Sequence, residues 1–323
     1  MSFWRNKKVL VTGGTGFIGS FVVERLVKLG ADVSVLDTMR DGNIKNIAYL
    51  KNTVNFIQGN CADLISAKKA CKNQNVVMNL AAHVGGIEYN RFHQASMLRE
   101  NIEIAMTMIE AARLENVERF LVVSSACIYP RDAKIPTPET EGFLNEPEPT
   151  NGGYGWAKRI AEKLGMYYSQ EYGMKIGIAR PYNAYGPRDH FDPASSHVIP
   201  ALIKRIMDGV DPVTVWGSGK QTRAFLYVED FAEGLIQVIE KYPTADPVNL
   251  GTDEEVTIDT LVHMIIKLIG SHAKVVFDTS KPDGSPRRNC DNKKAKEQVG
   301  FHAMTKLEDG LKKTIEWYKE SVL

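Results

Sequence analysis

Residues 7–19 read KKVLVTGGTGFIG: a basic lead, a short apolar run, and glycines at 13, 16 and 19 in a GxxGxxG pattern. Directly after it, Ile18, Val22, Leu26 and Leu29 fall four, four and three apart, and Gly30 follows. That spacing lays one apolar stripe along a helix, and the glycine ends it. The stretch is therefore predicted to run strand, tight turn, helix. In that setting Gly13, Gly16, Phe17, Ile18 and Gly19 bring the backbone close to a pyrophosphate, whose charge rests on free amides at the positive end of the helix. Asp37 ends the next apolar run, eighteen residues past Gly19. A carboxylate there accepts hydrogen bonds from ribose hydroxyls and repels a 2′-phosphate, which favours NAD over NADP, although the nearby Arg40 is placed to receive such a phosphate.

Outward from this unit the same rhythm continues. ADVSVLD, TVNFIQG, NVVMNLAA, RFLVVSS and KIGIARPYN alternate with helical patterns, which predicts a Rossmann-type, doubly wound parallel α/β sheet. Residues 1–185 are expected to form this dinucleotide-binding domain, with later segments able to return to it. Residues 186–323 are expected to form mainly a smaller α+β substrate-binding lobe over the strand ends, with helices at 198–207, 230–240 and 258–269 and a strand pair around Val213 and Phe225.

The 323 residues carry a formal net charge of +1, 43% hydrophobic and 24% charged side chains, the balance of an ordinary globular enzyme. This argues against nucleic acid as partner, and no apolar run is long enough to span a membrane. The N-terminus passes straight into a strand, so a cytoplasmic protein is expected. Cys61, Cys71, Cys127 and Cys290 lie far apart without metal-ligand spacing, so neither a metal site nor a disulfide framework is expected.

Tyr154 and Lys158 in YGWAK stand four apart, which on a helix places both on one face. A tyrosine titrates near pH ~10 when free and exchanges a proton at neutral pH only if a cation stabilises its phenolate. Lys158 and an oxidised nicotinamide would supply that field, and Ser125 at the end of RFLVVSS would fix the same substrate oxygen. Taken alone, such a pair also suits a solvated helix face; the preceding dinucleotide loop and strand-end serine favour catalysis.

With these residues in place the chain resembles the extended short-chain dehydrogenase/reductase (NAD-dependent epimerase/dehydratase) family along nearly its whole length. The likeness rests on GGTGFIGS, NLAA (79–82), SSACIYP (124–130), YGWAK, RPYNAYGP (180–187), WGSGKQTRAFLYVED (216–230) and VNLGTDEEVTI (248–258). It implies a catalytic set of Ser125, Tyr154 and Lys158, supported by Asn101 from its helix. It also implies cofactor contacts at Asn60, Cys61, Leu80, Ala81, Ala82 and Tyr182. On the substrate side it implies Gly86, Asn183, Val198, Arg205, Trp216, Arg223 and Arg287, with Arg223 on the diphosphate, where a planar guanidinium suits paired phosphate oxygens.

Cys127 and His197 narrow the branch. Both titrate near neutrality, and flanking a 4-keto hexose they would remove and return the acidified protons at C3 and C5. SSACIYP, EPEPTN, YGPRDHFDPASSHVIPALIKR and SKPDGSPR resemble the GDP-L-fucose synthase branch, a reductase using NADPH. SSACIYP and PRRNCDN also resemble the GDP-mannose 3,5-epimerase branch, which retains NAD and presents a lysine where this chain has His197. With VGGIEYNRF (84–92), these likenesses imply a nucleotide diphosphate sugar, GDP-linked, as substrate. Three readings remain open: this epimerase/4-keto reductase, a UDP- or GDP-hexose 4-epimerase, and a non-catalytic NAD-binding sensor. A 4,6-dehydratase is disfavoured because Ala126 and Cys127 follow Ser125 where that branch carries acids. The family also implies a homodimer through helices at 102–112 and 154–168.

Overall fold

The computed structural model describes residues 2–40, 42–192, 196–281 and 285–321; residues 193–195 and 282–284 of the runs quoted above lie outside them. In chain order the elements are β1 (Lys8–Thr12), α1 (Phe17–Lys28), β2 (Asp32–Asp37), β3 (Val54–Gln58), α2 (Leu64–Cys71), β4 (Val76–Asn79), α3 (Ile87–Phe92), α4 (Gln94–Leu114), β5 (Arg119–Val123), α5 (Gly152–Tyr172) and β6 (Lys175–Pro181). There follow β7 (Ala184–Tyr185), α6 (Val198–Met207), β8 (Val213–Trp216), β9 (Thr222–Ala224), β10 (Leu226–Tyr227), α7 (Val228–Lys241) and β11 (Val248–Leu250). The chain closes with β12 (Glu255–Thr257), α8 (Ile258–Ile269), β13 (Val275–Asp278), β14 (Arg287–Arg288) and α9 (Leu307–Ser321).

Seven strands form one sheet in the order β11-β6-β5-β4-β1-β2-β3, every pair parallel. Its inner strands are apolar on both faces because both faces are covered, whereas the edge strand β3 is largely exposed. Val9, Val11, Val33, Val35 and Met78 pack into the layer holding α1 and α7, through residues such as Val22, Leu26, Leu235 and Ile239. The alternate residues Leu10, Leu36, Val77 and Phe120 pack with α2, α4 and α5 through Ala67, Met108, Ala112 and Ala161. The two-residue period of a strand thus divides one run of hydrophobics between two cores.

From β1 the chain winds outward through β2 and β3, then returns and winds the other way through β4, β5, β6 and β11. The reversal lies between β1 and β4, where a crevice opens beyond the strand ends. Both α7 and β11, which follow residue 186, belong to the sheet and its layers. The remaining later segments lie apart from the sheet: β9 pairs antiparallel with β12 and parallel with β14, and β8 pairs with β13. The expected pairing around Val213 and Phe225 is therefore corrected. β8 finds its partner sixty residues on, and Phe225 sits between β9 and β10; strands this short carry no signal of their partner. Among the described residues no helix is long and apolar enough to cross a membrane, and no cluster of metal ligands occurs.

Candidate active site

The glycine turn sits at the switch point. Gly13 has φ +67°, in the left-handed region, and a Cβ there would meet the Ala81 backbone at 3.1 Å, across from the end of β4. A Cβ on Gly19 would lie 2.1 Å from the Gly13 carbonyl oxygen, so a side chain there would force the turn open. Gly16 caps α1 without a side-chain hydrogen bond, and Phe17 and Ile18 begin the helix half-buried. Asp37, buried at the end of β2, accepts hydrogen bonds from the Thr15 amide (3.1 Å), the Thr15 hydroxyl (2.6 Å) and the Met39 amide (2.9 Å). The carboxylate is thereby fastened to the glycine turn through Thr15. Asn60 is exposed beside buried Cys61 just past β3, and Leu80, Ala81 and Ala82 leave β4 half-buried. Asn101 reaches from α4 to the same segment, accepting from the His83 amide and donating to the His83 carbonyl, both at 3.0 Å. Glycine backbone at a helix N-terminus, with a fixed carboxylate at the end of the next strand, fits a dinucleotide.

Beyond β5 the chain alternates. Ser124, Ala126 and Ile128 are buried, whereas Val123, Ser125 and Cys127 are partly accessible. Ser125 Oγ accepts the Cys127 amide at 3.1 Å, which fixes the turn. The first turn of α5 packs against it so tightly that a Cβ on Gly155 would lie 2.6 Å from the Cys127 carbonyl oxygen. Tyr154 and Lys158 lie on this part of the helix, with Lys158 Nζ 5.3 Å from the centre of the Tyr154 ring and donating to the Val123 carbonyl at 2.8 Å. Burial pulls Lys158 down to about 8, against the opposing pull of Cys127 and Glu162. It also pushes the Tyr154 phenol well above its ordinary value, with Cys127 adding to the rise. The expected lowering of that phenol is not produced by the protein alone, because burial and Cys127 both raise it.

The substrate-side residues divide. Asn183, with φ +24°, donates to the Ala224 carbonyl at 2.8 Å and holds the bend between β9 and β10. Arg223 donates to the Thr222 and Ser285 carbonyls. Arg205 reaches the Ala201 and Thr214 carbonyls, and Val198 and Gly86 stand at the starts of α6 and α3. Trp216 is exposed, and Tyr182 is buried in a small cluster with Ala126, Ile128, Tyr129 and Cys290. His197 is exposed, its Nδ1 4.0 Å from buried Asp189. Arg287 points away, making three contacts of 2.9–3.1 Å with Glu255. Its neighbour Arg288, which sequence reasoning passed over, places Nη2 3.9 Å from Cys127 Sγ. Behind Ser125 lies another unforeseen group. Arg180 and Glu162, both fully buried, pair at 2.7 Å, and Arg180 also donates to the Tyr129 hydroxyl at 3.0 Å. Arg180 opens the RPYNAYGP run quoted above, but a lone strand arginine does not announce its partner.

Residues 9–251 match the family described as NAD dependent epimerase/dehydratase. The chain belongs to that family. Among curated members it is similar to a probable GDP-L-fucose synthase 1 of Oryza sativa subsp. japonica, 35% identical over 98% of this chain and 93% of that one. It is also similar to the GDP-L-fucose synthase of Escherichia coli strain K12, 34% identical over 98% and 97%. Among solved structures, UDP-glucose 4-epimerase of Thermotoga maritima with UDP-glucose superposes with a TM-score of 0.88, at 28% identity, covering 98% of this chain and all of that one. The epimerase/dehydratase fold accounts for the glycine turn, the switch-point crevice and the helix carrying Tyr154 and Lys158.

Proposed function

We propose that this family member acts on a GDP-linked hexose, exchanging hydride at C4 and protons at C3 and C5, and that it holds NAD through the cycle. The observation that carries the reading is Cys127, a partly accessible thiol two residues beyond Ser125 on the turn packed against the helix of Tyr154 and Lys158. Bound nicotinamide would supply the hydride acceptor and donor at C4. Tyr154 takes up or returns the proton of the C4 oxygen, Ser125 holds that oxygen, and Lys158 provides the cation that favours the phenolate. With C4 as a ketone, Cys127 and His197 exchange the acidified protons beside it.

The names of the rice and Escherichia coli relatives support the GDP link and the epimerase/reductase chemistry. Asp37 supports NAD over NADP, since a 2′-phosphate would be set against a buried carboxylate. The four cysteines are all free, in keeping with a reducing, cytosolic compartment. A homodimer is part of the same reading: Trp156 and Tyr167 on α5 and Met106 on α4 are exposed, an apolar face a second copy would cover.

The Thermotoga maritima likeness favours one alternative, a hexose 4-epimerase in which Cys127 and His197 only line the site. The test is to identify the copurifying nucleotide and follow nicotinamide absorbance during turnover of a panel of GDP- and UDP-sugars. Tight NAD without net absorbance change, on GDP-sugars, is the expected result. Stoichiometric consumption of reduced cofactor would overturn the redox-neutral reading, and turnover confined to UDP-sugars would overturn the substrate.

A further inference from the structure

Arg287 and Arg288 are adjacent on a two-residue strand, so their side chains leave opposite faces. Arg287 goes outward to Glu255; Arg288 goes inward to the turn after β5. The inward course is enforced from both ends. Arg288 pairs with Arg223 of β9, and the next residues lock onto the segment at 137: the Thr137 amide donates to the Asn289 carbonyl at 3.1 Å, and the Asp291 amide to the Thr137 carbonyl at 3.0 Å. Asn289 and Cys290 are buried there. The guanidinium is thus delivered by an anchored strand and not by a free loop. Of the four cysteines Cys127 is the one that is not buried, and it is the one Arg288 meets.

The groups facing Cys127 come from three elements. From α5 come Lys158 and the Tyr154 phenol, each coupled to the thiol by charge. From β14 comes Arg288, and from its own turn the Ser125 hydroxyl, which takes its amide. Glu148 and Glu162 stand behind these cations, near Arg288 and Lys158 respectively. One cation, Arg288, thus touches the sulfur, and a second, Lys158, is near enough to couple to it by charge.

We propose that Arg288 is a positioning residue for Cys127: its guanidinium stabilises the thiolate and aims it across the crevice, so that the sulfur enters the cycle as a base. Resting on the function proposed above, the step balances without a co-reactant. The C–H bond beside the C4 ketone breaks, an S–H bond forms, and the electron pair passes into an enolate; His197, the second exchanging group proposed above, then gives its proton to the same carbon from the opposite face and regains one from solvent, to which the cysteine proton leaves. Lysine is the conservative replacement because it keeps the charge, whereas methionine keeps volume alone.

The test uses the full-length protein and iodoacetamide, with modification of Cys127 followed by peptide mass spectrometry across pH. A thiolate held by Arg288 makes the wild-type alkylation midpoint fall below the ordinary thiol value of about 8.5. Arg288→Met is expected to raise that midpoint and slow alkylation about tenfold near neutrality, and Arg288→Lys to restore most of it. A wild-type midpoint at or above the ordinary value overturns the proposal without any variant having to fold. So does an unmoved midpoint in Arg288→Met, even if its KM rises, since that is the mark of a diphosphate contact. The functional reading fails separately: if Cys127→Ser retains ring-proton exchange while the midpoint still follows Arg288, the ion pair stands and the exchange role does not.

Discussion

Burial pushes the Tyr154 phenol upward, so the charge that draws off its proton must come from Lys158 and from the positive ring of an oxidised nicotinamide. Two outcomes follow at this scale. Tyr154→Phe is expected to reduce turnover by about 10²–10⁴ while nucleotide binding, measured by fluorescence titration, is retained. Because Lys158 is pulled down to about 8, its cation and the activity are expected to fall together as pH rises through that value. Asp189 gives a stability outcome. It is buried, Oδ2 has no partner among the described residues, and burial pushes its carboxyl up to about 7. The folded value exceeds the unfolded one of about 3.9, so its stabilising share is present at acid pH and lost as pH rises through about 7. Asp189→Asn is therefore expected to melt above the wild type near pH ~8, with the gain shrinking toward pH ~5. The places of Ser125 and Asp37 at strand ends, and of Tyr154 and Lys158 on one helix, were legible in the sequence because strand ends and helical spacing fix them. Arg288 was not: in an arginine pair on a strand, a one-residue shift of register decides which side chain points inward, and only the partner strand sets it.

Helix α5 is fixed to the sheet by more than apolar packing. Glu162 on α5 and Arg180 on β6 form a fully buried pair that also engages Ser124 and Tyr129, immediately behind the turn of Ser125 and Cys127. Glu162→Ala would leave a buried guanidinium uncompensated and is expected to cost about 3–5 kcal/mol in denaturant unfolding. Arg180→Met together with Glu162→Leu is expected to recover much of that loss, since replacing both charges removes the desolvation cost as well as the attraction. The sheet strands were readable from their apolar runs because two covered faces demand them. The pairings among β8, β9, β12, β13 and β14 were hidden, since strands of two to four residues find their partners through tertiary packing.

In the whole molecule, the division expected near residue 185 is crossed by the chain itself, because α7 and β11 complete the sheet's layers from beyond it. A three-residue strand after a helix carries no local mark of the sheet it joins. The switch point between β1 and β4 brings the glycine turn to the end of β4, and β5 places Ser125 and Cys127 beside it. The proposed dimer is tested by sedimentation: the wild type is expected to sediment as two chains, and Met106→Glu with Tyr167→Glu as one. The function proposed for the molecule meets its most direct test in heavy water with a GDP-hexose, followed by NMR. Deuterium entering at C3 and C5 with the wild type, and lost from at least one of those carbons in Cys127→Ser, is the expected result. Turnover that leaves both ring carbons unlabelled would contradict it.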